Sequence, residues 1–358
     1  MSGKDTATPR QMVAVAVVGL LSPLIRRFPR VLAETAGRSS WFSIPLSFPL
    51  LLVMAWVLRK AHGAVQDAAK RPAIRILTSL YALWLLFYTG FLLRSGGERF
   101  VITVFPSAKS GLFLISMALV CTLAASGGYQ SIARTAMLLR PLLLAVPLLL
   151  FLLALRDLDF GMLLPVTIAD LLPNAWAAAK LANLCGAAAA LAFAGELSPG
   201  QSLHLRDWAG WGAVLLATLA MMTCGCVGMF GPTLTAEMSY PFFLLARDAP
   251  ALGSLERAES LVVAVWVFAD TVFLSALLRA AVRLLCQSLF PARNAPPRWL
   301  VPVCAFVASA TGLLLPSKLE SFRFLSEHFV PIFGAIMNLG LPLLFLLYTG
   351  LRNRSHPA

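Results

Sequence analysis

Residues 209–230 read AGWGAVLLATLAMMTCGCVGMF, a stretch of 22 residues without a charged side chain. A helix of this length rises about 33 Å, which suits the roughly 30 Å hydrocarbon core of a bilayer. Similar apolar runs recur along the 358-residue chain, in which 59% of residues are hydrophobic and 13% are charged. A soluble protein of this length needs far more charge to cover its cores. The sequence therefore predicts a polytopic membrane protein.

Ten apolar segments lie between polar breaks, and each is predicted to span the membrane as a helix. They are residues 11–33, 41–58, 76–93, 110–126, 141–155, 175–195, 209–230, 260–285, 299–316 and 330–351. A signal peptide is the alternative for the first segment, but the sequence lacks a clear small-x-small cleavage site. Ten spans place both termini on one side, and a small excess of Lys and Arg predicts that this side is the cytoplasm.

The net charge of +13 is carried by single and paired basic residues between the apolar runs. This distribution is typical of topology signals and lipid anchoring, and it argues against nucleic acid binding. The six cysteines lie inside apolar segments and none forms a CxxC pair, so no disulfide, metal or cofactor role is predicted. No cluster of His, Asp or Glu marks a catalytic centre, so an enzyme is not predicted.

Two of the predicted spans contain residues that disturb helices. Span one includes Pro23 and Pro29, and span six has Asn183 and Gly186 in its middle. If the chain consists of two five-helix repeats, these spans hold equivalent positions, and paired breaks are typical of inverted-repeat transporters. Simple kinks are the alternative, because Pro and Gly are common in membrane helices. The repeats would cover approximately residues 11–155 and 175–351 of one integral membrane domain, 1–358.

Residues 240–268, YPFFLLARDAPALGSLERAESLVVAVWVF, resemble the segment leading into the eighth helix of spore germination proteins, the B subunits of nutrient germinant receptors. The shared features are Pro241, Arg247, the tripeptide Leu255-Glu256-Arg257 and Trp266. Three more segments resemble the family in the expected order. They are FPRVLAETAGRSSWFSI at 28–44, GGYQSIARTAMLLRP at 127–141 and LDFGMLLPV at 158–166.

This resemblance implies an all-α fold of ten helices in two inverted repeats with helices one and six broken, as in the amino acid–polyamine–organocation superfamily. It implies a subunit of the spore inner membrane, or cell membrane, that senses a nutrient such as an amino acid. Its partners would be a lipoprotein C subunit and an A subunit. A secondary amino acid or cation transporter and an assembly scaffold with a silent pocket are the alternatives.

The ligand pocket is expected between the two broken helices. Its predicted residues are Ser22, Pro23, Leu24, Asn183, Leu184, Cys185, Gly186 and Asp270. Ser22 and Leu24 stand where the family has glycines, and Ala188 stands where it usually has a glutamate, so the pocket departs from the family pattern.

Asp270 is a lone acid deep in an apolar segment, so it should face the bundle interior or become neutral. A structural hydrogen bond and a proton or cation role are both open for this acid. Lys180, near the start of span six, is its expected charged partner.

The charged loop before span eight is predicted to lie outside the membrane and to dock a partner subunit. Its candidate residues are Arg247, Glu256, Arg257 and Glu259. Anchoring of these charges at the lipid interface is the alternative interpretation.

Overall fold

The computed structural model describes residues 6–68, 72–103, 105, 107–193, 204–248, 258–293, 295–316 and 319–355. Within these ranges the protein is all helical apart from its connections. The α-helices are α1 (Pro9–Ala36), α2 (Ser43–Ala68), α3 (Pro72–Thr103), α4 (Ser110–Ser126), α5 (Tyr129–Ala154), α6 (Leu171–Phe193), α7 (Leu205–Glu237), α8 (Pro241–Asp248), α9 (Ala258–Leu289), α10 (Leu300–Leu314), α11 (Leu319–Phe324), α12 (Val330–Ala335) and α13 (Leu341–Ser355). Two π-helical turns, Leu325–Phe329 and Ile336–Gly340, join α11, α12 and α13 into one helical segment.

Each of the ten predicted apolar segments coincides with a different helical segment of the structure. Six helical stretches among the described residues are long and apolar enough to cross a membrane. The first of these, Pro9–Val57, contains α1 and most of α2. α10, with 15 residues, rises only about 22 Å, which is short of the hydrocarbon thickness. The all-α polytopic class is therefore confirmed, and the number of ten crossings stays a prediction.

Helices from the first part of the chain pack against helices from the second part. α1 packs against α6, α2 against α7, α3 against α9 and α4 against α10. α1 also packs against α7, and α2 against α6, so these four helices form one bundle. The division into repeats itself remains a prediction.

Glycines set the closest helix approaches between α3 and its neighbours. A Cβ atom on Gly312 of α10 would lie 2.7 Å from the carbonyl oxygen of Gly90 on α3. A Cβ atom on Gly97 of α3 would lie 2.6 Å from the carbonyl oxygen of Ser110 at the start of α4. The backbones are thus in contact at both crossings, which is the small-residue packing common in membrane helices.

The predicted breaks in helices one and six are wrong for the described structure. α1 runs through Pro23 and Pro29, and α6 runs through Asn183 and Gly186, without interruption. A proline removes one backbone donor and can be accommodated by a bend, so it does not by itself unwind a helix.

The interruption lies instead in α7, at Gly231, which has φ 77° and ψ 162°. Pro232 follows it and has no N–H to donate to the carbonyl of Gly228. The backbone N–H of Asp159 donates to that carbonyl at 3.0 Å. The Thr235 hydroxyl, which has one proton to donate, lies 2.7 Å from the carbonyl oxygen of Gly231 and 3.1 Å from that of Cys226. The carbonyls near the kink therefore find partners within the protein.

Candidate functional site

Asp270 of α9 lies at the centre of a buried polar network that joins three helices. The Ser22 hydroxyl donates to Oδ1 of Asp270 at 2.6 Å, and the Arg26 guanidinium donates to Oδ2 at 3.0 Å. Arg99 of α3 approaches the same Oδ2 at 2.8 Å. The side chains of Asp270, Arg26 and Arg99 are only 12%, 8% and 5% exposed. A buried carboxylate is thus compensated by two guanidinium groups and a hydroxyl.

The spacing on α1 explains how one helix supplies two of these partners. Ser22 and Arg26 are four residues apart, so they lie one above the other on the same helix face. Because α1 continues as a helix through Pro23, Ser22 and Arg26 stay on this common face. A buried ion without a partner costs several kcal/mol, so Asp270 requires such a face opposite it. The expectation that Asp270 faces the bundle interior is confirmed.

A second group of contacts ties the same part of α1 to other helices. The Arg30 Nε donates to the carbonyl of Ala236 in the last turn of α7 at 3.1 Å. The Arg30 guanidinium lies 3.6 Å from Glu327 in the first π-helical turn. Arg27 donates a hydrogen bond to the hydroxyl of Ser326 in that turn. The second half of α1 is therefore connected electrostatically to α7 and to the final helical segment.

A chain of uncharged polar groups links α3, α6 and the final helical segment. The Tyr81 hydroxyl donates to the Asn338 side-chain oxygen at 3.3 Å, and the Asn338 amide donates to Asn183 Oδ1 at 3.4 Å. The Asn183 amide donates to the carbonyl of Pro331 at 2.6 Å. Asn338 lies in the second π-helical turn, and such turns are frequent at functional sites.

The predicted pocket residues divide between these two groups. Ser22 and Asp270 meet directly. Asn183 and Gly186 lie against Asn338 instead, since a Cβ atom on Gly186 would be 3.3 Å from Asn338 Cβ. The remaining four are packed in the interior: Pro23, Leu24 and Cys185 are buried, and Leu184 is partly buried against the core. A common pocket formed by all eight stays a prediction.

The expected pairing of Lys180 with Asp270 is wrong. The Lys180 ammonium donates to the Thr35 hydroxyl at 3.2 Å, near the end of α1. Asp270 instead pairs with Arg26 and Arg99. The sequence places Lys180 in the first half of α6, but only the packing decides which end of α1 it meets.

The predicted docking residues cannot be located in full. Glu256 and Arg257 lie outside the described residues. Arg247 belongs to α8 and Glu259 to the first turn of α9, but their side chains are not among those described. The docking surface therefore stays a prediction.

Sequence reasoning missed several members of the networks, among them Arg26, Arg99 and Asn338. Arg26 belongs to the paired basic residues that are typical of topology signals, although its four-residue spacing from Ser22 places both on one helix face. Arg99 belongs to the segment GGERF, and nothing in its local pattern distinguishes it from an interfacial charge. Asn338 is a lone amide in an apolar run, which is the signal that Asn183 also carries.

The helical segments and the buried network define a multi-pass, all-α membrane protein. A family model described as spore germination protein matches residues 7–315. The chain belongs to the spore germination protein family, as the sequence resemblance predicted. As a member of this family with a transporter fold, the protein is not an enzyme.

Two solved structures share the fold at low sequence identity. Mhp1, a nucleobase-cation-symport-1 family transporter in a closed conformation with bromovinylhydantoin bound, is similar with a TM-score of 0.62 and 14% identity, over 94% of this chain and 78% of that chain. A Na⁺-coupled sialic acid symporter, in a substrate-bound outward-open state, has a TM-score of 0.57 and 13% identity, over 93% of this chain and 78% of that chain. At this identity the likeness shows the fold alone. Among curated proteins, none matches the sequence.

Proposed function

We propose that this protein is the membrane subunit of a nutrient germinant receptor of spores. It binds a small nutrient such as an amino acid inside its transporter fold and triggers germination together with partner subunits. The observation that carries this proposal is the family match over residues 7–315. A ligand can act as a trigger if it binds one of two conformations more tightly than the other.

The ligand is proposed to bind where α1 and α6 pack on each other. Ser22 to Leu24 contribute from α1, Asn183 to Gly186 from α6, and Asp270 from α9. Because α1 and α6 are continuous, their backbone N–H groups are used in helix bonds. Recognition would therefore depend on side chains such as those of Ser22 and Asn183, or on local unwinding when the ligand enters.

The partners are proposed to be the lipoprotein C subunit and the A subunit of the receptor, in the spore inner membrane or cell membrane. The loop that includes Arg247, Glu256, Arg257 and Glu259 is the proposed docking surface. Both termini are proposed to be cytoplasmic, which makes this loop external.

A secondary transporter is the second candidate, because the chain shares its fold with two proteins described as transporters. The environment of Asp270 argues against a cation-coupling role for this acid. A cation bound at its carboxylate would lie beside Arg26 and Arg99, and like charges repel strongly at such distances in a buried site.

Deletion of the gene separates the two functions, with nutrient-triggered germination and amino acid uptake measured in the same strain. The receptor proposal expects loss of germination to a nutrient, restored by the wild-type gene. Normal germination with defective uptake in growing cells would instead identify a transporter. The Arg257→Glu variant, if it accumulates normally but does not restore germination, would support the docking loop.

The pocket is tested separately by the Gly186→Leu variant, whose side chain would project towards Met54 and Asn338. An unchanged nutrient response at an unchanged protein level would place the pocket elsewhere.

A further inference from the structure

Exposed apolar side chains crowd the connection between α5 and α6. They are Leu155, Phe160, Met162, Leu164, Val166 and Ile168, continued by Leu171, Leu172 and Trp176 at the start of α6. Ile168 is 92% exposed and Leu172 is 80% exposed. An exposed apolar surface of this kind marks contact with another molecule or with the membrane.

The connection between α5 and α6 packs against the sides of α7 and α1. The backbone N–H of Asp159 donates to the carbonyl of Gly228 at 3.0 Å, and Leu163 packs with Val227 and Ala33. Gly228 lies three residues before the kink of α7 at Gly231, and Ala33 lies in the last turn of α1. The connection therefore reaches the level of the last apolar turns of two spanning helices.

Much of the polar backbone of the connection is hydrogen-bonded within the protein. Two short 3₁₀ turns, Phe160–Leu163 and Ile168–Asp170, are each closed by an aspartate. Asp159 accepts from the Gly161 N–H at 2.8 Å, and Asp170 accepts from the Thr167 N–H at 2.8 Å.

Neighbouring side chains satisfy further carbonyls of the connection. The Trp41 indole donates to the carbonyl of Leu163 at 3.2 Å, and Arg38 donates to that of Leu164 at 3.3 Å. The Asn174 amide donates to the carbonyl of Asp170 at 2.8 Å. Internal satisfaction of this kind is required of irregular backbone near lipid, where water is scarce.

We propose that this connection is embedded in the membrane surface, with its apolar side chains at the boundary between headgroups and acyl chains of one leaflet. Lipid is the occupant because the exposed side chains continue the exposed apolar face of α5, formed by Leu148, Leu149 and Leu152. Trp176 has the side chain that prefers this boundary. The exposed charges of Arg156 and Asp157 mark the headgroup side of the connection.

Depth measurement on the full-length protein tests the proposal. A nitroxide is attached to Ile168→Cys in nanodiscs of phosphatidylethanolamine and phosphatidylglycerol, and its collision rates with oxygen and with a water-soluble nickel chelate are compared. Leu149→Cys on α5 provides the lipid reference, and Lys109→Cys before α4 provides the water reference. The wild-type protein, labelled in parallel, gives the background from the native cysteines. Leu172→Cys provides a second labelled position.

At residues 168 and 172, the ratio of the oxygen collision rate to the nickel collision rate is expected to lie closer to the lipid reference at Leu149 than the water reference at Lys109 does. A ratio equal to that at Lys109 would show that the connection lies in water and would overturn the proposal. Low collision rates with both reagents would show that protein, such as a second copy of the chain, covers the connection. That result would also overturn it.

Discussion

The Ser22 hydroxyl of α1 donates a 2.6 Å hydrogen bond to Asp270 of α9, a residue 248 positions away in the chain. The same carboxylate also pairs with Arg26 and Arg99, so α1, α3 and α9 meet at one buried charge. In a bundle whose other contacts are mainly apolar, this network specifies which faces of the three helices must come together.

Removing the charge of Asp270 is expected to cost more stability than removing its hydroxyl partner. Asp270→Asn leaves two buried guanidinium groups without their carboxylate, which costs about 3–5 kcal/mol. Ser22→Ala removes one hydrogen bond to a charged group, which costs about 1.5–3 kcal/mol. Thermal unfolding of the purified variants shows which of the two substitutions costs more stability. A Ser22→Ala variant less stable than Asp270→Asn would contradict this account of the network.

The contact between α3 and α10 is expected to tolerate no side chain at Gly312. The Gly312→Ala Cβ atom would lie 2.7 Å from the Gly90 carbonyl oxygen, so the two backbones must separate. The matched control is Gly96→Ala on α3, whose Cβ would lie 3.7 Å from Met117 Sδ, an ordinary contact. The unfolding temperature should fall for Gly312→Ala and stay close to wild type for Gly96→Ala. Equal changes in unfolding temperature for the two variants would mean that α3 and α10 can move apart at little cost.

The kink of α7 is expected to depend on glycine at position 231. Its φ of 77° with ψ of 162° lies in a region that L side chains rarely adopt, so Gly231→Ala should cost about 1–3 kcal/mol. Gly210→Ala in the same helix meets no atom within 4 Å and should be neutral or stabilising by up to about 1 kcal/mol. Unfolding temperatures of the two variants check this contrast. A stable Gly231→Ala protein would show that the kink is not strained.

Asn183 and Asn338 are expected to act as a coupled pair. Asn338→Ala removes the amide that donates to the Asn183 side-chain oxygen, and leaving this acceptor unsatisfied costs about 1–3 kcal/mol. The Asn183→Ala/Asn338→Ala double variant should therefore lose less stability than the sum of the single losses. A double-variant cycle by thermal unfolding measures this coupling. Additive losses would show that the amides do not interact.

Much of the fold could be predicted from hydropathy alone. All ten predicted segments coincide with helical segments, because long apolar runs have few alternatives to the helix in a membrane. The predicted breaks of α1 and α6 failed because proline and glycine disturb a helix only where the surroundings do not compensate. The kink at Gly231 was not predicted, although the Gly-Pro pair in its sequence is a turn signal.

The sequence by itself determined the membrane class, the family and the helical segments, since each depends on local composition or on motifs in linear order. It also identified Asp270 as a polar group that needs an interior partner, and Asn183 as a candidate pocket residue. Only the tertiary structure decided that Asp270 meets Ser22, Arg26 and Arg99, and that Asn183 meets Asn338. The physical reason is that apolar periodicity gives the position of a helix along the chain, whereas the rotation and depth of each helix follow from packing with distant segments. The partners of a buried charge are set by that rotation and depth.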